Sequence, residues 1–416
     1  MNIGFVSTRL AGTDGVSLEA RKVAAILTDL GHTAFYCAGE LDPDLPGRLV
    51  PAMHFTHPKI MAVQAVAFST TQATPDFERT VADLADHLRQ ELALFCQEYA
   101  IDVLVPQNAL TIPMNIPLGV ALTDFIQATG MRTVAHHHDF YWERVRFARS
   151  CVGEILERCF PPNLPSARHM VINSPAQASL LARRGIESVV LPNIFDFETA
   201  APGITPESRN LRADLGLTDE HLLILQPTRV IPRKGIELAV ELVARLQDPA
   251  HSAALQGKTP VLVITHHAGD EGQEYLYQLQ AQAEEAQVDL RYVGPRFAPQ
   301  GDPAAGIYSL WDAYAHADFV TYPSLYEGFG NALVETVYFR LPALVNRYSV
   351  YDADIRPLDF DFVEIDGVVT DESVAGVIQA MMDPVVRRRM TEHNYETARR
   401  HFSYAAVRPI LAGLIG

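Results

Sequence analysis

Short apolar runs alternate in this chain with longer stretches of helical periodicity, and after residues 191 to 210 the alternation begins again. Ile3 to Val6 is followed by apolar residues at helical spacing from Leu18 to Leu30 and a stop at Gly31, which describes a strand feeding a crossover helix. Strands joined in this way run parallel and are covered by helices on both faces, so their runs are apolar without strict alternation. The same spacing predicts a helix over Phe77 to Tyr99 and strands at IDVLVP (101 to 106), TVAHH (133 to 137) and HMVINS (169 to 174). LPNIFDFETAAPGITPESRN (191 to 210) carries Pro192, Pro202 and Pro206 without periodicity, which marks a boundary.

Beyond the boundary come LLILQPT (222 to 228), a helix from Gly235 to Leu246, VLVITHH (261 to 267) and a helix around 273 to 286. LRYVG (290 to 294), DFVTYPS (318 to 324), a helix near 331 to 339 and PALVN (342 to 346) complete the second series. A chain of 416 residues is long enough for two such α/β domains. Two parallel sheets in succession predict a ligand cleft at the carboxyl ends of their strands. The formal charge of −17 opposes nucleic acid and anionic lipid as partners and leaves room only for local basic sites. Four cysteines, Cys37, Cys96, Cys151 and Cys159, lack zinc or disulfide spacing and read as reduced core residues of a cytosolic protein. The start MNIGFVSTRLAGTDG reads as a first strand and not a signal peptide, and no apolar run is long enough to span a bilayer.

Two stretches of the second half carry chemistry. In YPSLYEGFGNALVE (322 to 335), Gly328 and Gly330 sit between a strand and a helix, where backbone N–H groups can approach a ligand closely. Glu327 and Glu335 flank this turn, and their carboxylates suit the hydroxyl pairs of sugars. QPTRVIPRKG (226 to 235) places Arg229 and Lys234 after another strand, as a bidentate grip and a point charge for phosphate. Together these predict a site for a nucleoside diphosphate sugar.

At these residues the sequence resembles the family-4 retaining glycosyltransferases: EGFGNALVE matches their E-x7-E motif and RVIPRKG their Arg-x4-Lys-Gly segment. YAHADFVTYPSLYEGFGN (314 to 331), LPALVN (341 to 346) and HFSYAAV (401 to 407) extend the resemblance in the same order. It implies the GT-B architecture: an acceptor-side Rossmann-like domain over 1–196, a nucleotide-sugar domain over 197–388, and a helix over 389–416 returning to the first. It further implies that Arg229 and Lys234 neutralise the departing diphosphate, that Glu327 with the amides of Gly328, Phe329, Gly330 and Asn331 grips the donor sugar, and that Glu335 holds the ribose. Transfer would then proceed by front-face attack on a hexose, with a small soluble acceptor, no metal and no cofactor. Homo-oligomerisation is left open. A nucleotide-sugar epimerase or hydrolase, or a non-catalytic sensor, is the alternative.

In the first half, GTDG (12 to 15) does not fit G-x-G-x-x-G, which counts against a dehydrogenase. The resemblance makes Gly15 a donor-phosphate candidate. In AHHHDFYWER (135 to 144) strand geometry lets only His136 and His138 share a face, so a three-histidine metal site is not expected. The resemblance assigns His138, with His137 as runner-up, to the donor sugar. Asn108, Tyr141, Trp142 and Arg144 are the acceptor candidates. HDFYWER and VYDADIRPLDF (350 to 360) resemble enzymes that make small glycosides of the mannosylglucosylglycerate type. Arg340, Tyr404 and THHAGDEG (265 to 272) depart from the family pattern, the last leaving the donor base open.

Overall fold

A computed structural model describes the chain except residues 13, 270, 271, 303 and 304. It divides into two compact units, one of Met1–Ile194 with Tyr404–Gly416 and the other of Phe195–Ser403.

The first unit is built on seven strands: β1 (Asn2–Ser7), β2 (Thr33–Ala38), β3 (Gly47–Leu49), β4 (Val103–Pro106), β5 (Thr133–His137), β6 (Ala167–Val171) and β7 (Val189–Val190). All pair in parallel, in the order β3-β2-β1-β4-β5-β6-β7. In register, Ile3 faces Val103 and Phe5 faces Val105. These four share one core with Val23, Ala24 and Leu27 of helix Gly15–Asp29, while Val6, Leu104 and Ala135 belong to the core on the other face. Burial on both faces is why these strands read as continuous apolar runs.

The second unit has six parallel strands: β8 (His221–Gln226), β9 (Thr259–Ile264), β10 (Leu290–Tyr292), β11 (Phe319–Tyr322), β12 (Ala343–Asn346) and β13 (Val363–Ile365). Their order is β10-β9-β8-β11-β12-β13. Helix Ile236–Leu246 lays Leu238, Ala239, Leu242, Val243 and Leu246 into a core shared with Ile224, Leu262 and Phe319.

The returning segment is shorter than the sequence suggests. Helix Pro384–Phe402 stays in the second unit, where Met390 packs with Val374, Val377 and Met381. Ser403 is extended (φ −80°, ψ 163°), and only helix Tyr404–Ile415 joins the first unit. Val407, Leu411, Leu414 and Ile415 pack there beside Val23 and Leu27, each such burial contributing about 1.5–3 kcal/mol. Its terminal carbonyls are satisfied by Arg168 Nη1, on Gly413 O (2.8 Å) and Leu414 O (3.1 Å), and by Arg132 Nη2, on Ile415 O (2.5 Å). Cations at a helix carboxyl end also complement its dipole. Among the described residues no helix is long and apolar enough to cross a membrane.

Helix Ile116–Thr129 is buried almost all round, and a Cβ on Gly119 would fall 2.1 Å from Cζ of the fully buried Phe160. Alanine in place of glycine would otherwise favour a helix by up to about 1 kcal/mol. Overpacking costs about 1–3 kcal/mol, so Gly119→Ala is expected to destabilise the protein in urea unfolding. Unchanged or increased stability would refute that packing.

Candidate functional site

In an open parallel sheet, ligands bind where the strand order reverses, outside the carboxyl ends of the strands. In the second unit that point lies between β8 and β11, paired through Phe319 with Ile224 and Val320 with Leu225. The segments after these two strands are RVIPRKG and the loop before helix Asn331–Tyr338, so one sheet contact brings both motifs together. Gln226, fully buried at the end of β8, fixes the join: Thr321 Oγ1 donates to its Oε1 (2.7 Å) and its Nε2 donates to Thr228 Oγ1 (2.8 Å).

After β8 the chain turns through a short helix, Pro232–Lys234, to Gly235 in the left-handed region (φ 58°). A Cβ on Gly235 would sit 2.4 Å from Pro323 O, so this position requires glycine. The turn buries Lys234 (8% exposed) against Glu327 (6% exposed). Lys234 Nζ and Ser324 Oγ (2.7 Å) both donate to Glu327 Oε1, and Arg233 Nη1 donates to Oε2 (2.9 Å). Burial lowers the Lys234 pKa from its ordinary value, with Glu327 opposing and Arg233 and Arg229 reinforcing. Burial acting alone would raise that of Glu327, but the charges of Lys234 and Arg233 outweigh it and hold the carboxylate below the usual glutamate value. The group is ionised and fully hydrogen-bonded, the condition under which a buried charge is tolerated. Arg229 is exposed on the same loop.

Gly330, immediately before helix Asn331–Tyr338, has φ 128°, and a Cβ there would lie 2.8 Å from Tyr348 Oη and 2.9 Å from Tyr322 Oη. The turn thus needs glycine at 330 both for its backbone and for two phenols packed against it. Tyr348 Oη donates to Phe329 O (2.5 Å), anchoring the buried Phe329. Gly328 and Asn331 are half-buried. Glu335 lies one turn into the helix, half-buried, and accepts from Tyr314 Oη at 3.2 Å.

In the first unit the strand order reverses between β1 and β4. After β1, Asp14 caps helix Gly15–Asp29, accepting from Val16 N (3.1 Å) and Ser17 N (3.2 Å), and Arg9 pairs with it at 3.3 Å. The helix that Gly15 opens therefore starts on a carboxylate. Thr13 of GTDG, and Asp270 and Glu271 of THHAGDEG, lie outside the described residues.

After β4, Asn108 adopts φ 58°, a left-handed conformation that asparagine tolerates. Its Oδ1 accepts from His138 N (3.0 Å) and Thr111 Oγ1 (2.8 Å), and its Nδ2 donates to Asp139 Oδ1 (2.7 Å). Asn108 thus organises the loop that carries His138, half-buried, whose Nε2 lies 3.2 Å from Gln107 Oε1. His136 and His138 do share a face, with ring centroids 4.3 Å apart. His137 points the other way, to His169 Nδ1 at 2.8 Å. Burial lowers the pKa of all four imidazoles, to about 4 for His138 and for His169.

Trp142 stacks on Phe140 (4.4 Å, 6°) and donates its Nε1 to Ser179 Oγ (3.0 Å), a packing role. Tyr141 is half-buried, and Arg144 pairs with Asp139. Asp352 and Asp354 lie in a helical turn where Asp352 pairs with Arg347 (2.9 Å).

Glu327, Lys234 and the Gly330 turn are thus gathered in one unit, with Glu335 one helical turn further on. Arg233, Ser324 and Gln226 were not among the expected site residues. Arg233 had a signal, a second cation beside Lys234 in RKG, whereas the part played by Gln226 depends on a contact 95 positions away in the chain and that of Ser324 on a turn not yet formed.

A family of group 1 glycosyl transferases matches residues 207–397. Mannosylglucosylglycerate synthase of Petrotoga mobilis is 31% identical over 88% of this chain and 86% of its own length. The enzyme of the same name from Thermotoga maritima is 30% identical over 99% of each. Among solved structures, sucrose-phosphate synthase from Thermosynechococcus elongatus superposes with a TM-score of 0.67 at 15% identity, covering 100% of this chain and 98% of that one. That last likeness bears on the fold alone: two Rossmann-like domains of the GT-B type.

Buried histidines held neutral make the first unit acid-sensitive. An unfolded histidine takes up a proton near pH 6.5, whereas His138 and His169 resist it to about 4. The unfolded chain then binds more protons, so stability is full above pH 6.5 and declines progressively towards pH 4. Trp142 fluorescence in a Trp311→Phe background should report this decline in urea unfolding, and His169→Gln should flatten it. An unchanged slope in His169→Gln would count against the burial of an uncharged pair.

Proposed function

Because the chain belongs to the group 1 glycosyl transferases, we propose that it moves a hexose from a nucleoside diphosphate sugar to a hydroxyl of a small soluble glycoside of glycerate, with retention at the anomeric carbon. The observation that carries this reading is the cluster of Lys234, Arg233 and Glu327 beside the Gly330 turn, at the strand reversal of the unit that contains the family match. The two synthases named above support the acceptor class, since their product is composed of mannose, glucose and glycerate. A mannosyl donor is therefore the first to test.

In this reading Lys234 and Arg229 bind the diphosphate. Breaking the glycosidic bond leaves negative charge on that group, and preorganised cations in a site shielded from water stabilise it as it develops. Glu327 and the amides of Gly328, Phe329, Gly330 and Asn331 orient the sugar, and Glu335 takes the ribose hydroxyls. Gly15 is assigned to the donor phosphates and His138 to the sugar. As a neutral imidazole, His138 offers a hydrogen bond without adding charge beside the reacting carbon. The leaving diphosphate takes the acceptor proton, so no protein nucleophile is required. Side-chain cations do the work a divalent ion would otherwise do. For the acceptor, Arg144 suits a glycerate carboxylate and Tyr141 a sugar face, while Asn108 and Trp142 shape the loop that presents them.

Purified protein given GDP-mannose, UDP-glucose or ADP-glucose with glucosylglycerate should form a disaccharide-containing product with one of the donors. The new linkage should keep the donor's anomeric configuration by NMR, and chelator should leave the rate unchanged. Donor consumption without acceptor, or a product of inverted configuration, would overturn the reading. Lys234→Ala should slow transfer about 10²-fold or more, the scale of losing a transition-state charge partner. Glu335→Ala should chiefly weaken nucleotide binding in calorimetric titration.

A further inference from the structure

The Glu327 carboxylate is held from two directions by groups of different reach. Lys234 and Ser324 both donate to Oε1, while Arg233 Nη1 donates to Oε2 at 2.9 Å. Arg233 is tied to the same loop at three further points: Nη1 donates to Tyr326 O (3.0 Å), and the Arg233 carbonyl accepts from Leu325 N (2.9 Å) and Tyr326 N (3.4 Å). Side chain and main chain of Arg233 thus close a clasp around residues 325 to 327. Lys234 contributes only its ammonium, a compact charge on a flexible stem.

Two cations on one carboxylate are more than its charge requires. A diphosphate bound at this loop, as the function proposed above has it, competes with Glu327 for Lys234 Nζ. The arginine fork, fixed at two acceptors, is the partner that stays. We infer that Arg233 is a positioning residue for the sugar half of the donor: it keeps the Glu327 carboxylate ionised and oriented when Lys234 turns to the diphosphate, leaving Oε1 to accept a sugar hydroxyl. Arg233 acts through Glu327 and does not itself touch the reacting atoms.

The charged and titratable groups facing Glu327 are Lys234, Arg233 and the phenols Tyr322 and Tyr348. Burial keeps both phenols protonated, and Arg229 bears on Lys234. With Lys234 engaged elsewhere, Arg233 is the remaining cation opposing the effect of burial on Glu327. Its removal must raise the pKa of that carboxylate. Activity that requires the ionised form then fails at a higher pH.

The test is the pH dependence of kcat/KM, from pH 5 to 9, for the unmodified protein, Arg233→Ala and Arg233→Lys, using whichever nucleoside diphosphate hexose the unmodified protein turns over. Arg233→Ala should lose about tenfold or more at pH 7, the scale of a hydrogen bond to a charged group. Its acid limb should move to higher pH, Arg233→Lys should bring it back, and affinity for the bare nucleoside diphosphate should stay near that of the unmodified protein. An acid limb in Arg233→Ala that coincides with the unmodified one, whatever the overall rate, overturns the inference while leaving the proposed function standing. No turnover by the unmodified protein overturns both. Should the alanine variant fail to fold, Arg233→Gln, which can still donate to Tyr326 O, carries the same comparison.

Discussion

The pairing of β11 with β8 is the contact on which the chemistry of the second unit depends. Residues some ninety positions apart in the chain become neighbours only because these two strands hydrogen-bond at the reversal of strand order. Everything further follows from short-range detail. Gln226 clamps the strand ends, Gly235 lets the chain pass under Pro323, and Gly330 admits two phenols where any side chain would collide. Chain flexibility is thus removed at the loop by packing and side-chain hydrogen bonds, while the glycines permit the backbone to bend.

The electrostatics are local. A chain with a formal charge of −17 gathers Lys234 and Arg233 around one buried carboxylate. Surface charges beyond about 10 Å are largely screened at ordinary ionic strength, so the acidic exterior does not cancel this cluster. The contrast with surface pairs is instructive. Arg399 and Glu396, each about half exposed, form a pair of the kind worth about 0–1 kcal/mol, whereas removing one member of a buried pair costs about 3–5 kcal/mol. Net charge therefore does not locate the charge that acts; burial does.

Much of this was legible from the amino acids. Runs such as LLILQPT and DFVTYPS announced β8 and β11, and EGFGNALVE with RVIPRKG marked the two stretches that the fold brings together. Helix Ile116–Thr129 went unnoticed because it is buried from Ile116 through Thr123, so it shows no polar face and no period. β2 was missed because its first half is only partly covered, and β3 and β13 because short edge strands carry little pattern. At the site, the pairing of His137 with His169 and the grip of Ser324 on Glu327 could not be read, since both require the folded neighbourhood. The return helix was overextended for a related reason. Residues 389 to 402 carry no signal for which unit they join, and in the structure Met390 packs them into the second unit before the chain extends at Ser403.

Helix Tyr404–Ile415 also places a constraint on the order of events during synthesis. It supplies Val407, Leu411, Leu414 and Ile415 to a core whose other members are translated hundreds of codons earlier. All residues of the second unit precede Tyr404, whereas the core around Val23 and Leu27 lacks four of its apolar members until residues 404 to 415 are made. The first unit, begun earlier, is thus the later of the two to have its full sequence available.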